Sequence, residues 1–208
     1  MKAVFMGLGY IGLPTAAVLA NRGIQVTCVD VNPEAVNAFN LGKVCFPDPD
    51  LEKMIREAVT GGNLKASLTP EPAEAFFISA PFKTNRRAGI SPVESAVRTA
   101  LPFLRPGNLL VIKSTSPVKT TEKISAFIYK ERPDLKDKIY AAYCPERIMP
   151  GNILFDLENN DRIIGGVNTE STEKAAEFYA HFVKGELHKT DARTAERYKL
   201  GENAYKHK

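Results

Sequence analysis

The sequence has little with which to build a disulfide framework or a metal centre. Its three cysteines, Cys28, Cys45 and Cys144, are odd in number and fall in no ligand spacing. Its three histidines, His181, His188 and His207, form no metal pattern either. No metal is expected, and the cysteine usage suits a reducing, cytoplasmic compartment. Long hydrophobic runs are also missing. Nothing approaches the ~20 consecutive apolar residues of a membrane span, and the N-terminal run from Ala3 to Leu8 is short and leads straight into glycines, unlike a signal peptide. No membrane partner is expected. An excess of one charge is lacking too: the net charge is +4 and the basic residues are scattered. The densest groups, Arg86-Arg87 and Lys206-His207-Lys208, are small, whereas nucleic-acid binders concentrate such charge on one element. No nucleic-acid partner is expected, although a mildly basic chain suits a small anionic ligand such as a pyrophosphate. Repeats and low-complexity tracts are absent.

What is there is an ordinary globular composition, 44% hydrophobic over 208 residues, enough for one large domain and the start of another. Strand-like and helix-like segments alternate, which predicts an α/β fold of the Rossmann type, a doubly wound, mostly parallel sheet with helices on both faces. Strands are expected over Lys2–Met6, Gln25–Asp30, Lys65–Leu68, Phe76–Ala80, Leu109–Lys113 and Tyr140–Tyr143. The apolar run Leu109–Lys113 reads as a strand buried on both faces. Arg162–Gly165 reads as an edge strand and Leu187–Thr190 as a last short one. Helices are expected from Ile11 to Asn21, Pro33 to Leu41, Asp50 to Val59 with Asp50 as cap, Pro92 to Leu104, Thr120 to Tyr129 and Thr172 to Phe182. A final helix begins near Asp191, and residues 81–91 read as a loop. The expected organisation is a dinucleotide-binding domain over 1–190 and the start of a connecting helix over 191–208.

Gly7-Leu8-Gly9-Tyr10-Ile11-Gly12 is a G-x-G-x-x-G turn between the first strand and the first helix. Gly7 permits the tight turn, Gly9 lets the backbone approach a pyrophosphate, and Gly12 lets helix and strand pack closely. The phosphates would rest on the helix N-terminus, where free amides and the helix dipole favour negative charge. Asp30, ending the second strand, would accept hydrogen bonds from a ribose and repel a 2′-phosphate, favouring NAD over NADP. Lys113-Ser114-Thr115-Ser116-Pro117 follows a buried strand and so lies at the ligand-binding edge of an open sheet. Glu146 and Arg147 follow the next strand at the same edge. They suit a base and an anion anchor, and equally an ordinary loop ion pair. Cys144, beside them, has no sequence-adjacent activator that would make it a nucleophile. Lys199 and Asn203 share one helix face, as an oxyanion-stabilising pair or as a solvated surface.

Taken together, GLGYIGLPTA, VDVN, STSPVKTTEK, YCPERIMPG, DRIIGG and TDARTAERYKLGENAY resemble the UDP-glucose/GDP-mannose dehydrogenase family, from end to end of the chain. The resemblance implies NAD-dependent oxidation of C6 of a UDP-sugar, alcohol to aldehyde to acid. Within the family the likeness is to enzymes acting on UDP-N-acetyl-D-mannosamine. It implies that Tyr10, Ile11, Asp30 and Thr115 contact NAD, and that Arg147, Ile148 and Lys206 hold the nucleotide-sugar. It assigns proton transfer and oxyanion stabilisation to Lys199 with Asn203 in support, and gives Glu146, with Thr115, the ordering of a hydrolytic water. The family's catalytic cysteine lies in a glycine-rich GGHC motif that has no counterpart in these 208 residues, so the chain is expected to be the cofactor-binding half. The complete enzyme would then be a homodimer or draw on a separate second half. An NAD-binding module without turnover is the alternative. The sequence departs from the family in the short Ala80-Pro81-Phe82 run, in Lys119 where glycine is usual, and in Lys206 where arginine is usual.

Overall fold

The computed structural model describes residues 1–9, 11–43, 48–80, 92–146 and 152–206. Eight strands form one sheet: β1 (Lys2–Met6), β2 (Gln25–Val29), β3 (Leu64–Ser67), β4 (Ala75–Ile78), β5 (Leu109–Ile112), β6 (Tyr140–Tyr143), β7 (Arg162–Gly166) and β8 (Leu187–Asp191). Their spatial order is 3-2-1-4-5-6-7-8. The first six run parallel; β7 is antiparallel to β6, and β8 follows β7 in parallel. The expected doubly wound, mostly parallel sheet is therefore present.

The central strands are apolar on both faces, and alternate residues feed two separate cores. Phe5, Phe77 and Val111 point to one face, where α1 (Leu13–Asn21), α2 (Pro33–Asn40), α3 (Pro49–Thr60), α6 (Ile153–Asn159) and α7 (Thr169–Tyr179) pack. Val4, Phe76, Ile78 and Ile112 point to the other, beneath α4 (Pro92–Ala100), α5 (Thr120–Glu131) and α8 (Ala192–Lys206). The two-residue period of a strand requires this division, and a helix layer on each face is what makes such continuous apolar strands stable in water.

Several boundaries differ from expectation for local reasons. Asp48, not Asp50, caps α3: its side chain accepts from the Leu51 amide at 3.1 Å. Pro49 occupies the first helical position, where a missing amide costs nothing, so the cap must precede it. Asn168 accepts from the Ser171 amide at 2.8 Å and starts α7 three residues before Thr172. The helix expected from Ile11 starts at Leu13. The segment Pro92–Leu104 is α4 followed by a short 3-10 turn over Leu101–Phe103. The seven-residue α6 was not expected; it is too short for its apolar spacing to stand out. β7 is not an edge strand, because β8 lies outside it. The loop expected over 81–91 and Cys45 lie outside the described residues. Among the described residues, no helix is long and apolar enough to cross a membrane.

Candidate active site at the carboxyl edge of the sheet

The strand order reverses between β1 and β4, and their carboxyl ends open a crevice there. Gly7 leaves β1 with φ at +113° and donates its N–H to Val29 O at 2.7 Å, tying the turn to β2. A side chain could not follow that backbone without strain. Gly12 serves packing: a Cβ there would lie 2.7 Å from Ser79 Oγ and 3.3 Å from Gly7 O. Gly9 differs, since a Cβ on it would meet nothing within 4 Å. Its lack of a side chain is not needed for the fold, but it clears the approach to the first turn of α1. That helix has Gly12 at its N-cap and no side-chain capping bond; the Leu13 amide is taken by Gly9 O at 3.1 Å and Pro14 has none, so what the crevice meets is chiefly the positive end of the helix dipole.

Asp30 follows β2. Its carboxylate accepts from the Leu8 amide at 3.1 Å and the Asn32 amide at 3.0 Å, bracing the glycine loop. Each carboxylate oxygen keeps a second acceptor site. Beside it lies a cavity of about 270 Å³ walled by Met6, Val29, Leu68, Pro92 and Ala96. An apolar slot, an acidic rim and the positive end of a helix fit an adenosine and a pyrophosphate. Thr115 is half-buried at the same edge. Its neighbours Ser114 and Ser116 are turned to the backbone, Ser114 Oγ donating to Ala80 O and Ser116 Oγ to Ser114 O at 2.9 Å. They shape the loop, and Thr115 is the hydroxyl it presents.

A second cluster lies farther along the edge. Glu146 is buried, and its carboxylate meets Lys113 Nζ, Arg162 Nη1 at 3.0 Å and Thr15 Oγ1 at 3.1 Å. The Arg162 contact is a close ion contact rather than an aligned hydrogen bond. Arg162 Nη2 donates instead to Leu157 O at 2.9 Å. Burial pushes the Glu146 carboxyl up, but the Lys113 ammonium and Arg162 guanidinium outweigh it and hold the group below the usual carboxylate value. Of the two alternatives left open by the sequence, a base or an ion pair, this geometry favours the ion pair, with Lys113 and Arg162 as partners: a carboxylate enclosed by two cations and a hydroxyl is an ionised anchor. Cys144 is also buried, and burial pushes its thiol up to about 11, so at neutral pH it is a protonated thiol and not a nucleophile.

The backbone of Glu146 does reach the other expected residue. Lys199 Nζ, on α8, donates to Glu146 O and to Glu202 Oε2, each at 2.8 Å. One turn earlier Glu196, fully buried, accepts from Thr121 N at 2.8 Å, Thr121 Oγ1 at 2.7 Å and Lys119 N at 2.5 Å. It ties α8 to the start of α5, just after the Thr115 loop. Asn203 is half-buried one turn beyond Lys199. Lys199, Thr115 and Glu146 thus gather at one edge. Tyr10, Arg147, Ile148 and the side chain of Lys206 lie outside the described residues; Ile11 sits half-buried in the glycine turn.

Sequence reasoning missed Lys113, Thr15, Arg162, Glu196 and Glu202 as parts of this cluster. A signal existed for two of them. Lys113 is a charge closing a wholly apolar strand. Glu196 lies four residues after Ala192 and three before Lys199, on the stripe that faces the sheet.

A glycine turn at the switch point, an acidic end to β2 and a lysine-bearing last helix define the dinucleotide-binding domain of a dehydrogenase. The chain belongs to the UDP-glucose/GDP-mannose dehydrogenase family, whose NAD-binding domain matches residues 1–183. It is 46% identical over 97% of its length to an NDP-N-acetyl-D-galactosaminuronic acid dehydrogenase of Ralstonia nicotianae, covering 50% of that protein. It is 43% identical, with the same coverage of each chain, to the UDP-N-acetyl-D-mannosamine dehydrogenase of Escherichia coli K12. Among solved structures, UDP-N-acetyl-mannosamine dehydrogenase of Staphylococcus aureus superposes with a TM-score of 0.89 at 37% identity, covering 99% of this chain and 51% of that one. The Pyrococcus horikoshii UDP-D-ManNAc dehydrogenase gives 0.91 at 34% identity, with 99% and 50% covered. The chain spans about half the length of the curated relatives it matches.

Proposed function

We propose that this chain is the NAD-binding half of a nucleotide-sugar 6-dehydrogenase that converts UDP-N-acetyl-D-mannosamine to its uronate. Residues 1–190 form the cofactor domain, and 191–208 begin the helix that leads to a substrate-closing half. The observation that carries the reading is Lys199 Nζ at 2.8 Å from Glu146 O. It brings the last helix's lysine to the edge that also holds the glycine turn and Thr115.

Gly7, Gly9, Gly12 and the first turn of α1, with Tyr10 and Ile11, hold the pyrophosphate. Asp30 takes the adenosine ribose hydroxyls, and Thr115 lies along the nicotinamide end. NAD, when bound, supplies the hydride acceptor. Arg147, Ile148 and Lys206 grip the nucleotide-sugar. Lys199 donates a hydrogen bond to the sugar's O6 and stabilises negative charge as it develops there, with Asn203 beside it. Glu146 contributes through its carbonyl, its carboxylate serving as the anchor that fixes that carbonyl. Acid formation needs a nucleophilic thiol. Neither Cys28 nor Cys144 supplies one, since burial raises the first to about 12 and the second to about 11. Among the described residues no thiol is then a nucleophile, which favours a second reading in which this chain by itself binds NAD without turnover and a further half supplies the thiol. The setting is the reducing cytoplasm, in polysaccharide precursor synthesis.

Calorimetric titration with NAD and NADP tests the reading. Saturable NAD binding is expected, with NADP weaker and the preference relaxed in Asp30→Asn. A folded chain that ignores NAD, or prefers NADP, would overturn it.

A further inference from the structure

Glu202 has no role in the reading so far, yet its side chain and that of Lys199 are both nearly buried, 11% and 12% exposed, and meet at 2.8 Å. They stand three residues apart on α8, a spacing that brings side chains together. The same ammonium donates to Glu146 O at 2.8 Å. A lysine ammonium has three donors and no acceptor. Two acceptors from different elements therefore take two of its N–H bonds and fix the direction of the third. A flexible four-carbon stem would otherwise let the charge wander, so this fixing requires both partners.

We propose that Glu202 is a positioning residue: with the Glu146 carbonyl it clamps the Lys199 ammonium, leaving a single N–H for an oxygen of the bound substrate. The proposal rests on the dehydrogenase reading for what that oxygen is, but the clamp itself is a property of this chain. It makes Lys199 a hydrogen-bond donor to developing negative charge, because an ammonium already holding two acceptors has one N–H left to offer. Among the described residues, several other charged and titratable groups on and around α8 have surroundings of their own. On β6, Tyr143 is a buried phenol pushed well up by burial and the nearby Glu196 carboxylate. Behind it the Glu146 carboxylate is neutralised by Lys113 and Arg162. On α8 itself Glu196 is held by Thr121 and Lys119. At its foot Asp191 receives Thr194 and Arg193 pairs with Glu122 of α5.

The test is the rate at which a dilute acylating reagent modifies Lys199 in the 208-residue chain, read by peptide mass spectrometry between pH 7 and 10, with exposed Lys123 as internal control. Glu202→Gln is expected to speed labelling of Lys199 about fivefold at pH 8.5, the scale of one charge-assisted hydrogen bond, and to leave Lys123 unchanged. Glu202→Asp, which keeps the charge, is expected to stay within about twofold of the parent. A folded Glu202→Gln that labels at the parent rate overturns the clamp. So does a Glu202→Asp chain that labels as fast as the Gln variant, because shape rather than charge would then be responsible. Should the Gln variant fail to fold by circular dichroism, Glu202→Ala takes its place, with the same faster labelling expected and a parent rate again overturning the clamp. An NAD titration of the parent separates the two readings: failure to bind NAD would sink the dehydrogenase function while the labelling result still judged the clamp.

Discussion

The glycine turn and the Glu146 cluster lie on the same edge of the sheet but are built from opposite materials. The turn is almost all backbone: Gly7, Gly9 and Gly12 shape it, and a single carboxylate, Asp30, braces it from outside. The cluster is almost all side chain, with four ionisable groups (Lys113, Glu146, Arg162 and, through the Glu146 carbonyl, Lys199) drawn from four different elements. Backbone sites are specified by where side chains are missing, and so tolerate no additions. Ionic sites are specified by mutual compensation, and so tolerate no subtractions.

The largest effect should come from subtracting a charge. Arg162→Ala leaves Glu146 with one cation and strips a donor from the end of α6; a loss of about 3–5 kcal/mol is expected in urea unfolding. A loss below about 1 kcal/mol would mean that the cluster is not a unit. The glycine turn should break next, and unevenly. Gly12→Ala forces α1 away from Ser79 and should cost about 1–3 kcal/mol, whereas Gly9→Ala should leave the melting temperature nearly unchanged and weaken NAD instead. Equal effects of the two on stability would erase the distinction between a packing glycine and a ligand glycine. Acid should also weaken the cluster. The folded Glu146 carboxyl lies below its ordinary value of 4.5. Its contribution is therefore fully present above about pH 4.5 and lost as the pH falls through the lower folded value. Unfolding followed from pH 6 to pH 2 should show a steep acid limb that Glu146→Gln flattens. The smallest effect is expected at Lys119, which sits in the left-handed region at φ +75°. Lys119→Gly should raise stability by about 0.5–1 kcal/mol, the steric cost of that backbone for a side chain less the entropy glycine gives back.

The same contrast explains what could be read in the sequence. The glycine turn, Asp30 and the alternation of strands and helices are local patterns, and each appeared where expected. The partners of Glu146 come from Thr15, Lys113 and Arg162, separated by up to 147 positions, and no spacing links them. The reversal of β7 was equally invisible, because Ile163, Ile164 and their neighbours have the same strand-like character whichever way the strand runs. Lys199 was legible only through its resemblance to a family; its spacing from Asn203 fits a solvated helix face just as well.

That reversal has a consequence for reach. Had β7 and β8 run with the other six strands, a helix leaving β8 would begin at the ligand edge and travel away from it. Because both are inverted, β8 runs away from the ligand edge and ends at Asp191, paired with Gly166, which pairs in turn with Ala142 of β6, and α8 sets out from there and climbs back. Eight residues of helix from Asp191 to Lys199 advance about 12 Å, close to the ~16 Å length of a five-residue strand. The lysine therefore arrives at the rim by arithmetic, with its stem covering the remainder. Inserting or deleting one residue between Asp191 and Lys199 would turn it about 100° around the helix axis. The length of this segment acts as a ruler, and the fold measures it from the end of β8.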